Sequence, residues 1–239
     1  MNAYFVDRYD FIPFGQEHYL IFSLFSLIAL GVLLYCYHHP NPQKHRKYLS
    51  LFLGVITILQ LAKPFIRIHY GIFDIKDDLP FHLCNMLPLF LWLAVSFSST
   101  FWFSIFFFWV IIGTTQSLIT PTVTETFPHY ESIRYWTVHF GLTFAAFFGW
   151  LILKWRPGPK QALFSFLGLN VLALVIYFIN LALDSNYWYL MGKPKEATVL
   201  DSLWQWPAYL IQLEFISLTT FLTLALIIQK LTPKEGTKE

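Results

Sequence analysis

Charge is what this chain lacks most. Only 13% of its 239 residues are Asp, Glu, Lys or Arg, where soluble domains carry about 25%. Together with 56% hydrophobic and 20% aromatic residues, that shortage excludes an ordinary soluble domain and points to lipid as the solvent. Cysteine is nearly absent, and Cys36 and Cys84 alone exclude a disulfide framework. A basic n-region and a small-residue cleavage site are missing as well: the first seventeen residues are acidic and aromatic. The first hydrophobic run therefore reads as a retained helix, not a cleaved signal. The net charge is +2, and the basic residues lie between hydrophobic runs, so they make no case for nucleic acid. No internal repeat or soluble domain stands out, and residues 1–239 read as a single membrane domain.

What is present is a series of runs, each of roughly 18 or more residues with little or no charge, long enough to cross a hydrocarbon core of about 30 Å. The expected fold is all-α: a polytopic bundle of seven transmembrane helices at about 19–37, 48–70, 80–97, 101–118, 134–155, 162–183 and 207–228. The strings His38-His39-Pro40-Asn41-Pro42 and Arg156-Pro157-Gly158-Pro159 end the first and fifth spans, and Ser98-Ser99-Thr100 makes a tight turn between the third and fourth. If the spans alternate, one side collects nine basic residues: Lys44, Arg46, Lys47, Lys154, Arg156, Lys160, Lys230, Lys234 and Lys238. The other collects only Arg8, Lys76, Lys193 and Lys195, with most of the acids. Lys and Arg gather on the cytoplasmic side, so the amino terminus is expected outside and the carboxyl terminus inside, in a multi-pass protein of the cell membrane.

Mapped onto that orientation, the polar residues of the spans converge on the outer half. Gln60, Lys63 and Arg67 share one face of span two. His82, Cys84 and Asn85 open span three, and Thr114, Thr115 and Gln116 close span four. Arg134, Tyr135 and His139 open span five, Asn180 and Asp184 close span six, and Trp204, Trp206, Gln212 and Glu214 mark the start of span seven. Polar groups at membrane depth are costly and are functional candidates by default. The plainer readings stand beside this one. Lys63, Arg67, Trp204 and Trp206 suit interfacial anchors, Asp184 and Glu214 suit partners for those cations, a helical Cys is usually a small buried hydrophobe, and His139 suits an interhelical hydrogen bond. Convergence of five or six helices on one depth favours a site.

Cys84 is the candidate nucleophile. Pro80 reads as the first helical residue of span three, which sets Cys84 close to the free amides and positive dipole end that favour a thiolate. Pro88 releases the Cys84 carbonyl, and Pro64 does the same for Gln60. His82 is two residues away, about 200° around a helix, so the base is expected from another span. His139 is that candidate, with Tyr135 one turn earlier to orient it, completing a nucleophile, base and orienter. His82 is left to bind a phosphate or a developing oxyanion, and Cys36, at the opposite face, reads as packing.

Several strings carry a resemblance. Leu79-Pro80-Phe81-His82-Leu83-Cys84-Asn85, Thr120-Pro121, Tyr135-Trp136-Thr137-Val138-His139 and Ser185-Asn186-Tyr187-Trp188-Tyr189-Leu190-Met191-Gly192-Lys193-Pro194, followed by Leu200-Asp201 and Trp206-Pro207, resemble the YwaF family of bacterial membrane proteins. That family is similar to a eukaryotic integral membrane acyltransferase, transmembrane protein one-sixty-four, which remodels ether phospholipids. It is related more distantly to transmembrane hydrolases that cleave fatty acid esters with threonine and histidine. The resemblance implies passage of an acyl group through Cys84 with help from His139. One departure is Phe140 directly after His139, where a glycine is expected; Gly141 comes one place later.

The resulting expectation is a phospholipid acyltransferase whose site opens to the outer half of the bilayer. A phospholipid or lysophospholipid is the substrate, the bilayer the only other partner, and no metal or cofactor is called for. Lys63, Arg67 and Arg134 would hold the phosphate; His82, Asn85, Gln60, Tyr135, Asn180, Asn186, Tyr187 and Glu214 are the other candidate binding residues. The alternatives are a transporter or receptor-like binder, a lipid ester hydrolase using the same Cys/His pair, and a structural subunit.

Overall fold

A computed structural model describes residues 10–195 and 198–231; Arg8, Lys234 and Lys238 of the basic count lie outside the described residues. Seven α-helices follow one another: α1 (Gln16–His38), α2 (Pro42–His69), α3 (Leu83–Ser96), α4 (Thr100–Ile119), α5 (Tyr130–Leu151), α6 (Pro159–Leu183) and α7 (Ala208–Leu231). Short 3-10 turns lie at Tyr187–Tyr189 and Val199–Ser202. Each helix corresponds in order to one expected span. Where the boundaries differ, the cause is a polar first turn that hydropathy passes over. Asn41 caps α2 by accepting from the Lys44 amide, with Pro42 opening the helix. His129 caps α5 by accepting from the Glu131 amide. Hence α2 and α5 begin well before their apolar stretches do.

Five helices, α1, α2, α4, α6 and α7, are long and apolar enough to cross a membrane. The other two differ for physical reasons. With 14 residues, α3 spans about 21 Å at 1.5 Å per residue, short of a hydrocarbon core of about 30 Å. Helix α5 has 22 residues but carries Glu131, Arg134 and His139, and 14 of its residues are buried. It packs against α2, α3, α4 and α1, so its surroundings are protein on most sides and it has less need of an apolar surface.

Contacts between loops show which ends coincide. The start of α1 meets the α4–α5 loop, where Phe11 donates to the Thr124 carbonyl and Glu17 accepts from the Phe127 amide. The α2–α3 loop meets the α6–α7 loop through Lys76 with Asp184 and Tyr187 with Ile75. At the opposite end Arg46 of α2 donates to the last carbonyls of α3, and Lys154 lies over the Tyr37 ring. The helices therefore alternate in direction, and Lys44, Arg46, Lys47, Lys154, Arg156, Lys160 and Lys230 fall at one end.

Tight aromatic packing fixes the lower bundle. Phe103 of α4 is fully buried and packs on the Trp155 ring at 4.8 Å. A Cβ on Gly149 would lie 2.2 Å from the Phe103 ring. Gly149→Ala is therefore expected to destabilise by about 1–3 kcal/mol through overpacking. Gly31→Ala, with nothing within 4 Å of the new carbon, should be neutral or slightly stabilising. Thermal unfolding of the two variants in detergent checks the contrast, and equal midpoints would refute it.

Candidate functional site

The site starts where α3 begins. The Phe81 amide bonds to the Leu79 carbonyl at 2.8 Å, closing a tight turn through Pro80. The helix opens only at Leu83, with His82 as the extended N-cap residue. Pro80 is thus in the approach to the helix and not its first residue, a correction that brings Cys84 closer to the end: it is the second helical residue. The Cys84 S–H is directed at Asn85 Oδ1, 3.5 Å away, while the Asn85 amide donates to the His82 carbonyl at 2.9 Å. The first turn of α3, Leu83, Cys84 and Asn85, lines an interior cavity.

His82 has an extended backbone, with φ −63° and ψ 143°, so the 200° separation expected of a helix does not hold between it and Cys84. His82 and Cys84 line the same cavity. The Trp188 amide donates to His82 Nδ1 at 3.4 Å, so in the neutral ring the proton sits on Nε2, a hydrogen-bond donor. The His82 ring is wedged between Tyr187 and Tyr189.

His139 has the opposite assignment. Its Nδ1 lies 2.7 Å from the Tyr135 carbonyl, which can only accept, so Nδ1 carries the proton and Nε2 has the lone pair. His139 is 3% exposed, yet it lines the cavity. Tyr135 touches His139 through its carbonyl and by ring contact at 4.1 Å. The Tyr135 hydroxyl is engaged elsewhere, donating to Ser117 O and accepting from the Thr122 amide.

The cavity has a volume of about 710 Å³, within the range of small-molecule sites. Of the candidates read from the sequence, Cys84, His139, His82, Asn85, Lys63, Arg67, Arg134, Tyr135 and Glu214 line it. Gln60 stands just behind, accepting from Arg134 Nη1 at 2.7 Å. Asn180, Asn186 and Tyr187 do not line it. Asn180 Oδ1 accepts from Ser185 Oγ and the Tyr187 amide, and its Nδ2 donates to Tyr187 O. Asn186 closes a turn onto Met191 and Gly192. The Tyr187 hydroxyl donates to Ile75 O at 2.7 Å and accepts from the Leu79 amide. Burial pushes that hydroxyl up to about 12, so it keeps the proton it donates. These three fasten the α6–α7 loop, and Tyr187 ties it to the α2–α3 loop.

Two carboxylates that the sequence reading passed over govern the cations. Asp78, 2% exposed, accepts from Lys63 Nζ at 3.0 Å and Arg67 Nε at 2.7 Å, and from the Asp74 amide. Glu131 takes both Nε and Nη2 of Arg134 on one oxygen, at 3.0 and 2.5 Å. Its other oxygen is buried without a hydrogen-bond partner. The expected partners are elsewhere: Asp184 pairs with Lys76 and Glu214 accepts from Asn170. Glu131 was visible as the residue three before Arg134, one helical turn away. Asp78, in a loop ahead of Pro80, offered no periodic signal.

Chemically, the arrangement unites a thiol at a helix N-terminus, an imidazole with a free lone pair, a second imidazole with a free N–H, and cations held in place by buried acids. On the α6–α7 side the cavity is lined by Leu169, Ala173, Leu210 and Leu213 together with Glu214 and Ser217. No curated protein and no solved structure matches the chain. The model of the TMEM164 family matches residues 13–225, nearly the whole length, and the chain accordingly belongs to the TMEM164 family, a group of multi-pass membrane proteins.

Proposed function

We propose that this protein is a membrane-embedded acyltransferase that moves a fatty acyl group between glycerophospholipids through a thioester on Cys84. What supports the reading is that Cys84, second residue of α3, and His139, whose Nε2 keeps its lone pair, line the same cavity. In the same proposal all seven helices cross the bilayer, with the amino terminus outside and the basic end of the bundle in the cytoplasm. The cavity then lies toward the outer leaflet, remote from cytosolic acyl thioesters. That favours a phospholipid as acyl donor.

In the first step the S–H leaves Asn85, its proton passes to His139 Nε2, and sulfur attacks the ester carbonyl of the donor. His82 Nε2–H supplies a hydrogen bond to the oxyanion. Collapse breaks the ester C–O bond, and His139 returns the proton to the departing lysophospholipid oxygen. In the second step an acceptor hydroxyl gives its proton to His139, attacks the thioester, and restores the thiol. Lys63 and Arg67 are the phosphate cradle, held by Asp78. Arg134 is shared among Glu131, Gln60 and the cavity. With water as the acceptor the same machinery is a lipid ester hydrolase.

Purified protein mixed with a diacyl phospholipid and read by intact mass tests this. The expected result is a mass gain of one acyl group that hydroxylamine removes and that Cys84→Ala lacks. No such adduct on the wild type, or one that survives in Cys84→Ala, would sink the mechanism. Adding a lysophospholipid then separates the two outcomes: a new diacyl lipid means transfer, and free fatty acid means hydrolysis. A transporter or receptor would bind lipid and give neither.

A further inference from the structure

The acids around the cavity are not alike. Asp78 faces Lys63 and Arg67, and Glu131 faces Arg134. Glu214 lies six residues into α7 and faces no cation among the described residues. What holds it is one amide, Asn170 Nδ2, at 2.9 Å from Oε2. That amide is itself anchored to the Phe166 carbonyl at 3.0 Å, so both of its hydrogens are used in fixing the carboxylate. An anionic group along an apolar helix is costly without compensation, and the bundle supplies Glu214 with much less than it supplies the other two.

Its neighbours on the cavity wall differ too. Lys63, Arg67, Asp78, Glu131 and Arg134 concentrate charge on the α2–α5 side, whereas Glu214 shares its side with Leu169, Ala173, Leu210 and Leu213. The cavity thus has a charged station on the α2–α5 side, while Glu214 and, one turn on, Ser217 lie among aliphatic side chains; Asp77 and Glu125 line it from the α2–α3 and α4–α5 loops. A carboxylate set beside aliphatic side chains suits an amphiphile that brings one donor group on an alkyl body.

Resting on the acyltransferase reading, we infer that Glu214 is the acceptor-binding residue. It takes a hydrogen bond from the hydroxyl of a lipid acceptor whose alkyl chain lies along Leu169, Ala173, Leu210 and Leu213, while the donor's phosphate occupies the charged station. Asn170 is its positioning residue. In the second half-reaction the acceptor O–H turns from Glu214 toward His139 Nε2, which takes the proton as oxygen attacks the Cys84 thioester. A site built this way selects hydroxylated amphiphiles over water and over small water-soluble alcohols.

The test compares wild type with Glu214→Gln, which keeps the shape and can still accept from Asn170. The probes are a lysophospholipid with one free hydroxyl and its deoxy analogue. Wild-type protein should bind the hydroxylated probe roughly 10–150-fold more tightly, the range for a hydrogen bond to a charged group. Glu214→Gln should lose most of that discrimination. In single-turnover measurements the variant should slow discharge of the thioester by lysophospholipid far more than its formation. Equal discrimination in both proteins, or equal slowing of the two steps, would overturn the assignment. Because the binding comparison needs no chemistry, it reads Glu214 even where no acyl adduct forms on the wild type, the result that would refute the acyltransferase reading itself.

Discussion

Replacing His139 with alanine should slow formation of the Cys84 acyl adduct by roughly 10²–10⁴-fold at neutral pH, the usual contribution of a positioned general base. The structure separates this effect from misfolding. His139 uses Nδ1 only for the carbonyl one turn back in its own helix, so its loss strands no group on another helix. The residual reaction in His139→Ala must rely on thiolate formed without assistance, and its rate should climb about tenfold per pH unit while the thiol remains mostly protonated. The wild type should have a flatter profile. Rapid-quench intact mass across pH measures both, and a His139→Ala variant acylating at the wild-type rate would remove His139 from the chemistry.

The second large effect concerns Asp78, whose loss should damage the scaffold of the site. This buried carboxylate holds Lys63 at 3.0 Å and Arg67 at 2.7 Å and also ties down the Asp74 amide. Asp78→Asn leaves two largely buried cations facing a neutral amide. Removing one partner of a buried ion pair costs about 3–5 kcal/mol. Lys63 and Arg67 are 13% and 20% exposed, which places the expectation near the low end, at about 3 kcal/mol. For a chain of this size that corresponds to a fall in Tm of roughly 6–12 °C. Lys76→Gln is the matching control: it breaks the exposed pair with Asp184 and should barely move the midpoint. Similar midpoints for the two variants would show that Asp78 does not anchor the cluster.

The number and order of helices could be read from hydropathy because α1, α2, α6 and α7 show apolar surface along much of their length, and α4, half buried, is apolar throughout. Helix α5 could be placed but not begun correctly: Tyr130–Ile133 hold charge and cap chemistry that resemble a loop until the burial of Glu131 and Ser132 is known. Cys84, His139 and the cations were legible because polar groups at membrane depth stand out from their neighbours. Asp78 was not, since a carboxylate in a polar loop has nothing around it in sequence to mark it. Asn180, Asn186 and Tyr187 are the converse case, polar residues that the cavity lining omits. A loop rich in Asn and Tyr reads equally well as a ligand site or a self-bonded turn, and only the partners of each backbone group distinguish the two.

Helix α5, the most enclosed of the bundle, also bears on how the protein is made. An Arg at the centre of a lone segment costs about 2.5–3.5 kcal/mol on the scale for translocon insertion; Arg134, fifth residue of α5, costs less, but Glu131 and His139 add to the burden. In the seven-span arrangement α5 is therefore a poor candidate to enter the bilayer unaided. Arg134 Nε and Nη2 are met within α5 by Glu131, but Nη1 donates to Gln60 of α2, and the Tyr130 hydroxyl donates to the Leu59 carbonyl of the same helix. In that proposed arrangement the polar face of α5 is completed by α2, so that the helix bearing the proposed base enters the membrane more readily as the client of an earlier one.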